Sequence, residues 1–491
     1  MGVDKNSREN VIFYPSPGMS YLRPMVEFAR VLISRNQTLD VTILLLKPSL
    51  TTGSIDSFVS SVTATNPFIS FHFLPLVHVS DLGSKVRFDD TLFGLIRRSK
   101  PNVENYISSR LHRRPLAFVV DDFCAGSTEM AIIFSIPTYI FFTGSAAGLG
   151  VFLHLPTAQS LITQSFKDMG TSPVVFPGIP PIPADHMPLA LHDREDESYK
   201  SFLQLSKYTA EATGIIINTF DALEGNIIRS LQTTEASTHP IYSVGPLIFS
   251  DGGCGGGEKS EICCYFKWLD MQPKGSVVFL CFGSMETFSH HQLEEIATGL
   301  ERTQRSFLWV VKKPQLSDSD NNCTLDSVLP KGFLDRTKDR GLVVEELWAP
   351  QVAVLQHEAI GCFVTHLGWN SVLEAISTGV GMIGWPLYAE QKMNKVFVVD
   401  DMKLAIPMEG YDKELVTAAE VERSVKKMME EGSEIGASVK ERCSAMKYVA
   451  AETVGDGGTS TLALDQLVKD WRIGRKSSEL LVDIVDYQFK F

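Results

Sequence analysis

The chain has no C-x-x-C pair. Its eight cysteines, at 124, 254, 263, 264, 281, 323, 362 and 443, are scattered. That spacing argues against a zinc site and against a dithiol redox centre. Several fall in apolar runs, where a reduced, buried thiol is expected. Positive charge is scarce: 45 Lys and Arg stand against 58 Asp and Glu, a net charge of −13. The deficit argues against nucleic acid or an anionic membrane as the main partner. A phosphate-bearing small molecule stays open, because a single helix end holds an anion on an acidic protein too. The polar start, Met1–Asn10, has no apolar h-region, so no secretory signal is expected. Asn6 stands where a myristoylation motif needs Ser or Thr. One uncharged stretch, Ala131–Leu155, is long enough to span a bilayer, but Pro137 and the Gly144–Gly150 segment interrupt it. A strand, a turn and a buried helix are expected there, with no membrane span and a cytoplasmic location. G-x-G-x-x-G, G-x-S-x-G and H-E-x-x-H are all missing, which removes the usual support for a nicotinamide oxidoreductase, a serine hydrolase or a zincin.

What is present is alternation. A chain of 491 residues needs more than one domain. Short apolar, β-branched runs recur with helix-like segments between them. In the first half they are Val11–Tyr14, Val41–Leu46, Ala117–Val120, Thr138–Phe142 and Ile215–Asn218. In the second half they are Val277–Phe282, Phe307–Val311, Leu342–Val344, Cys362–Thr365 and Gly381–Trp385. Continuous apolar strands imply burial on both faces, hence parallel sheets flanked by helices. The reading is an α/β protein of two doubly wound domains. After the first strand, Leu22, Met25, Val26, Ala29, Leu32 and Ile33 share one helical face, and Pro24 suits a first turn. Between the halves, residues 251–260 carry five glycines and read as a flexible linker. Glu258 separates Gly257 from Lys259, so the phosphate-loop pattern is not met.

One region is unlike the rest. The strand Cys362–Thr365 ends in His366, and a helix is expected to begin near Asn370 or Ser371, with Ser371 and Glu374 at capping-box spacing. A strand, a glycine and a helix N-terminus present backbone N–H groups and a positive dipole end, a ready site for phosphate. Capping alone does not explain His, Gly, Trp and Asn crowded before it. The 44 residues from Trp348 to Gln391 run through W-x-P-Q, H-x-A-x-G-x-F-x-x-H, G-W-N-S-x-L-E and W-P-x-x-x-[DE]-Q. At this spacing they resemble the signature box of the plant UDP-dependent glycosyltransferases. Tyr14-Pro-Ser-Pro-Gly-Met19, Phe118-Val-Val-Asp121, Asn218-Thr-Phe, Val244-Gly-Pro246 and Phe279-Leu-Cys-Phe-Gly-Ser-Met285 extend the resemblance, in family order, over almost the whole chain.

The resemblance implies a GT-B fold: two Rossmann-like domains facing across a cleft, acceptor on the first and sugar nucleotide on the second. The expected boundaries are an acceptor domain at 1–247, a Gly-rich linker at 248–262, a UDP-sugar domain at 263–460, and a C-terminal helix and tail at 461–491 that returns to the first domain. The resemblance also assigns roles. Trp348 stacks on uracil, whose edge meets the backbone at Ala349. Gln351 and Glu374 bind the ribose. Ser284, His366, Gly368, Asn370 and Ser371 hold the diphosphate. Trp369, Glu390 and Gln391 contact the sugar, with Thr143 from the first domain. Gln391 and Trp369 fit the pattern of glucose users. The expected partners are a UDP-sugar, with UDP-glucose as donor, and a small-molecule acceptor; no cofactor and no metal are expected.

The chain departs from the family at one critical place. After Pro-Ser-Pro-Gly-Met the family has Gly-His-Leu, whereas this chain has Ser20-Tyr21-Leu22. The displaced His is the family's general base, and Asp121 stands where its orienting carboxylate belongs. Tyrosine, with an ordinary pKa of about 10, is a poor substitute at neutral pH. General-base assistance is worth about 10²–10⁴-fold, so an acidic phenol, a carboxylate or a thiol suits this chain better than an aliphatic alcohol. Leu367 and Gly381 also differ from the usual Cys and Pro, the second removing a fixed φ from an expected loop. Three readings follow. The first is an inverting glucosyltransferase of small apolar, phenolic acceptors with its base replaced or bypassed. The second is a catalytically impaired protein that keeps the nucleotide site. The third is the same fold turned to another role, with Tyr21 shaping a small-molecule pocket. The first is adopted.

Overall fold

The computed structural model describes residues 8–46, 54–77, 88–233, 239–249, 265–283, 288–312, 325–345 and 350–488. The chain divides into two compact units. One takes the chain up to Phe249, apart from His186–Pro188, and resumes at Glu452; the other holds His186–Pro188 and the chain from Ser250 to Ala451. Most of the Gly-rich stretch expected as a linker, together with Ser284, Trp348 and Ala349, lies outside the described residues.

In the first unit seven parallel strands form one sheet. They are β1 (Glu9–Tyr14), β2 (Leu39–Leu45), β3 (Ile69–Phe73), β4 (Ala117–Asp121), β5 (Thr138–Phe142), β8 (Gly214–Ile217) and β9 (Ile241–Ser243), in the order β3-β2-β1-β4-β5-β8-β9. β6 (Pro173–Val174) and β7 (Ile182–Pro183) make a separate antiparallel ribbon. In β1, Val11–Tyr14 are fully buried, as an inner strand covered on both faces requires. The order reverses direction at β1/β4, the switch point of a doubly wound sheet, and opens a crevice beyond the strand ends. The second unit repeats the plan with β10 (Val277–Cys281), β11 (Ser306–Val311), β12 (Gly341–Glu345), β13 (Ile360–Thr365), β14 (Met382–Gly384) and β15 (Ala405–Pro407), in the order β12-β11-β10-β13-β14-β15. Its switch point lies at β10/β13, where Cys281 pairs with Thr365. The α/β class and the two doubly wound sheets are as the sequence predicts.

Several local expectations change. The first helix is Met19–Arg35, so Pro24 sits in its second turn rather than its first and supplies no N–H to the Ser20 carbonyl. The helical face itself is as expected: Leu22, Met25, Val26, Ala29 and Leu32 are buried, and Ile33 is partly so. The uncharged stretch folds as β5 followed by the buried helix Ala146–Leu161. No helix among the described residues is long and apolar enough to cross a membrane. Gly381 lies just before β14, and its carbonyl accepts from Phe363 N–H at 3.0 Å. Cys124, Cys281, Cys362 and Cys443 are buried and free of disulfides.

Candidate active site

In the first unit, β1 runs into Pro15-Ser16-Pro17-Gly18, and Gly18 turns the chain with φ 134° into the helix that carries Tyr21. A Cβ on Gly18 would lie 3.3 Å from the Tyr21 ring, so the ring packs against the turn. Next door β4 ends at Asp121, which is fully buried. One carboxylate oxygen accepts from the Ser16 hydroxyl and, at 3.3 Å, from the Phe123 N–H. The other, Oδ2, is buried with no hydrogen-bond partner. Burial pushes the Asp121 carboxyl up to about 7, against the hydrogen bonds from Ser16, Phe123 and Asp122. Cys124 Sγ lies 3.5 Å from Ser16 Oγ, and burial holds its thiol protonated.

The Tyr21 ring meets Phe123 edge-on at 5.6 Å. Phe123 in turn contacts Phe93 at 5.8 Å and Phe202 at 5.7 Å, and Phe202 meets Phe152 at 6.3 Å. Tyr21 is therefore part of an aromatic cluster that includes Phe123, two residues beyond Asp121. Its members come from the helices Phe88–Ser109, Ala146–Leu161 and Glu197–Glu211, too far apart in sequence to be grouped by reading along it. Phe142, the last residue of β5, extends the cluster to Thr143. The turn Thr143–Ser145 is braced from behind. Ser145 caps the next helix, accepting from Gly148 N–H at 3.0 Å. The buried Glu224 carboxylate accepts from the amides of Ala146 (2.9 Å) and Ala147 (3.1 Å) and from the Thr219 hydroxyl (2.7 Å). Burial raises Glu224 to about 7. Sequence reasoning missed Glu224, although it lies four residues beyond the quoted Asn218-Thr-Phe220.

In the second unit the strand β13 delivers His366, which is buried. Leu367 follows with φ 63°, a left-handed conformation uncommon outside glycine. Gly368 then caps the helix Trp369–Thr378. The helix thus begins earlier than expected, and neither Asn370 nor Ser371 is its cap. The capping box does not form, because Ser371 lies inside the helix; Gln351 holds both side chains instead, its Nε2 donating to Ser371 Oγ at 2.9 Å and to Glu374 Oε2 at 2.5 Å. The amides of Trp369, Asn370 and Ser371 precede the first helical bond, Val372 N–H to Gly368 C=O at 3.1 Å, so no helical carbonyl lies within their reach. Gly283, at the end of β10, and Gly368 both crowd the His366 imidazole, since a Cβ would lie 3.0 and 2.6 Å from its Nε2. Burial pushes His366 down to about 4, so near neutral pH it is an uncharged donor or acceptor. Trp369 is only 2% exposed, so its indole is core and its main chain is what faces the turn.

The helix Gln391–Lys395 carries the remaining residues. Gln391 Oε1 accepts from Leu387 N–H (2.9 Å) and Tyr388 N–H (3.0 Å), which leaves its amide NH₂ as the group with donors to offer. Glu390 is half-buried, and Asn394 Nδ2 bonds both Glu390 Oε1 (3.3 Å) and Leu367 O (2.9 Å). Sequence reasoning missed Asn394, which lies beyond the signature box. Of the predicted residues, Gln351, Ser371 and Glu374 are in direct contact. His366 and Gly368 share the turn that opens their helix, and Glu390 is tied to that turn through Asn394. Among the described residues no group of three or more His, Cys, Asp or Glu side chains gathers as a metal site would require.

This arrangement has counterparts. Residues 227–435 match the family profile described as UDP-glucoronosyl and UDP-glucosyl transferase. UDP-glycosyltransferase 88B1 of Stevia rebaudiana is 41% identical over 94% of this chain and 98% of its own length. Anthocyanidin 5,3-O-glucosyltransferase of a Rosa hybrid cultivar is 39% identical, with 94% and 98% covered. Among solved structures, the UGT2 of Phytolacca americana complexed with UDP-2fluoro-glucose and pterostilbene has a TM-score of 0.85 and 36% identity, covering 94% of this chain and all of that one. The UDP-glucosyltransferase of Polygonum tinctorium that glucosylates indoxyl also scores 0.85, at 36% identity, with 95% of this chain and 99% of that one covered. This chain belongs to the plant UDP-dependent glycosyltransferases of GT-B fold, and it is a UDP-sugar-using transferase.

Proposed function

We propose that the protein transfers glucose from UDP-glucose to a small apolar phenol with inversion at the anomeric carbon. The observation that carries this reading is the interlocked set at the carboxyl ends of β10, β13 and β14, where a crevice of an open α/β sheet binds its ligand. Gln351 and Glu374, already hydrogen-bonded, receive the ribose hydroxyls, with Trp348 and Ala349 on the uracil. The helix start at Gly368, Asn370 and Ser371, together with Ser284 and the uncharged His366, holds the diphosphate and stabilises charge on departing UDP. Glu390, the Gln391 amide and the main chain at Trp369 bind the sugar hydroxyls. The first unit takes the acceptor and the second takes the UDP-sugar. The aromatic cluster beside Tyr21 suits a planar acceptor, and relatives named for anthocyanidin, phloretin and isoflavone act on phenols. In the transfer the acceptor oxygen bonds to C1 as the C1–O bond to UDP breaks, and the acceptor's proton leaves towards Asp121 or solvent.

A second reading, a UDP-sugar-binding protein of impaired activity, is favoured by one observation: position 21 carries tyrosine in place of the family's base, while Asp121 Oδ2 is buried with no hydrogen-bond partner. One assay separates the two. The protein is incubated with UDP-glucose and a panel of phenols, and glucosides are sought by mass spectrometry. Glucoside formation is expected. UDP binding without product from any acceptor selects the second reading. In the same assay Tyr21→His is expected to raise O-glucoside formation at least tenfold, by supplying an imidazole between acceptor and Asp121. A fall would assign Tyr21 a chemical role of its own.

A further inference from the structure

Beyond the residues of the signature box, Asn394 occupies an unusual position. It is fully buried in the helix Gln391–Lys395. Its amide hydrogens reach two acceptors, the Leu367 carbonyl at 2.9 Å and Glu390 Oε1 at 3.3 Å. Two acceptors fix the amide's orientation, because the flipped form would set oxygen against oxygen at both. Each acceptor has a place in the donor site. Leu367 is the left-handed residue at the turn between β13 and the helix Trp369–Thr378. A leucine held there carries backbone strain, and a hydrogen bond to its own carbonyl opposes relaxation. Its side chain is locked as well, since a Cβ on Gly384 would lie 2.5 Å from Leu367 Cδ1. The second acceptor, Glu390, is the carboxylate assigned to the sugar.

We infer that Asn394 is a positioning residue that couples the phosphate-binding turn to the sugar-binding carboxylate of the donor site. The inference rests on the sugar-site assignment of Glu390 made above. Without the Asn394 amide, Leu367 loses the bond that holds its carbonyl, and Glu390 loses a donor that favours its ionised form. Burial raises the Glu390 carboxyl, while its own backbone amide and Asn394 lower it. His366 titrates at about 4, below the range measured, and the Lys395 ammonium is paired with Asp400 at 2.9 Å; the terminal phosphate of UDP loses its last proton at about pH 6 in every variant alike, so each limb is read against that of the wild type.

The test measures UDP and UDP-glucose affinities by calorimetry across pH 5–8 for the wild type, Asn394→Ala and Asn394→Asp. An ionised Glu390 accepts from sugar hydroxyls, so the preference for UDP-glucose over UDP should fall towards acid in the wild type. In Asn394→Ala that acid limb should move up by about half a pH unit, the size of a modest hydrogen bond to a charged group. UDP affinity should also drop severalfold, without pH dependence, as the turn loosens. Asn394→Asp keeps the volume, sets a second carboxylate against Glu390, and should move the limb further in the same direction; it carries the test if the alanine variant does not fold. A limb that stays in place in both variants overturns the inference, whatever happens to stability. In a Glu390→Gln background Asn394→Ala should leave no limb to move. If Glu390→Gln binds UDP-glucose as tightly as wild type over the whole range, the sugar assignment itself falls, and this inference with it.

Discussion

At the scale of single residues, the informative group is Asp121. The sequence places an acid there and a tyrosine where its imidazole partner belongs. It does not disclose the Ser16 hydroxyl as the partner, because that bond joins positions 105 residues apart that only the β1–β4 pairing brings together. The consequence is measurable. In the folded protein Asp121 titrates at about 7, against an ordinary value near 3.8. A raised carboxyl keeps its proton longer in the folded state, so folded protein binds more protons than unfolded between those values. Stability therefore falls as pH rises from about 4 to about 7 and is level above that. Asp121→Asn removes the titration and keeps the Ser16 acceptor. Its melting temperature should match the wild type most closely near pH 4 and exceed it by several degrees at pH 8. A gap that does not grow with pH would show that Asp121 is ionised without cost in the fold.

At the scale of elements, the strands with long apolar runs were legible and the short ones were not. β9 and β15 have three residues each, too few for a period, and in the edge strand β3 only Ile69 is buried; β14, equally short, was legible through the longer apolar run Gly381–Trp385 around it. Helix starts were legible as regions but not as caps. At Trp369 the start follows the left-handed Leu367, where a leucine gives no glycine signal to read, and at Ala146 it leans on Glu224, 78 residues away. Glu224 brings together β8, the helix it belongs to and the turn that carries Thr143. Its carboxylate satisfies two amides of a helix start and one hydroxyl, all buried. Glu224→Ala leaves those donors without an acceptor, which costs about 1–3 kcal/mol for each group left unsatisfied, softened where water enters. Unfolding by urea should show a loss of at least about 2 kcal/mol. A loss under about 0.5 kcal/mol, ordinary for a surface site, would mean that the turn stands without it.

At the scale of the whole molecule, two doubly wound sheets account for the length, and the net charge of −13 is no obstacle to a UDP-sugar, because a helix start and backbone donors suffice to hold phosphate on an acidic protein. The return of the chain end to the first unit is readable only through the family resemblance, because contacts between residue 9 and residue 472 leave no periodic trace. The C-terminal helix, Thr459–Gln488, closes the edge of the first sheet at β9. Trp471 is fully buried and meets the Tyr139 ring edge-on at 5.8 Å. Around it, Tyr242 donates to Asp470 at 2.6 Å, Arg472 pairs with Glu9 at 2.9 Å, and Ser460 donates to the Gly245 carbonyl at 2.5 Å. The ion pairs are partly exposed and contribute little. The indole is the anchor, because a buried Trp→Ala change removes its apolar area and leaves a cavity, a loss of about 3–5 kcal/mol. Trp471→Ala should therefore lower the melting temperature of the first unit sharply, while Arg472→Ala should lower it by no more than a degree or two. Because the residues proposed to bind UDP all fall between Ser250 and Ala451, in the second unit, UDP binding measured below the melting transition should survive in Trp471→Ala. Loss of UDP binding in a variant still folded by circular dichroism would mean that the helix supports the second unit as well.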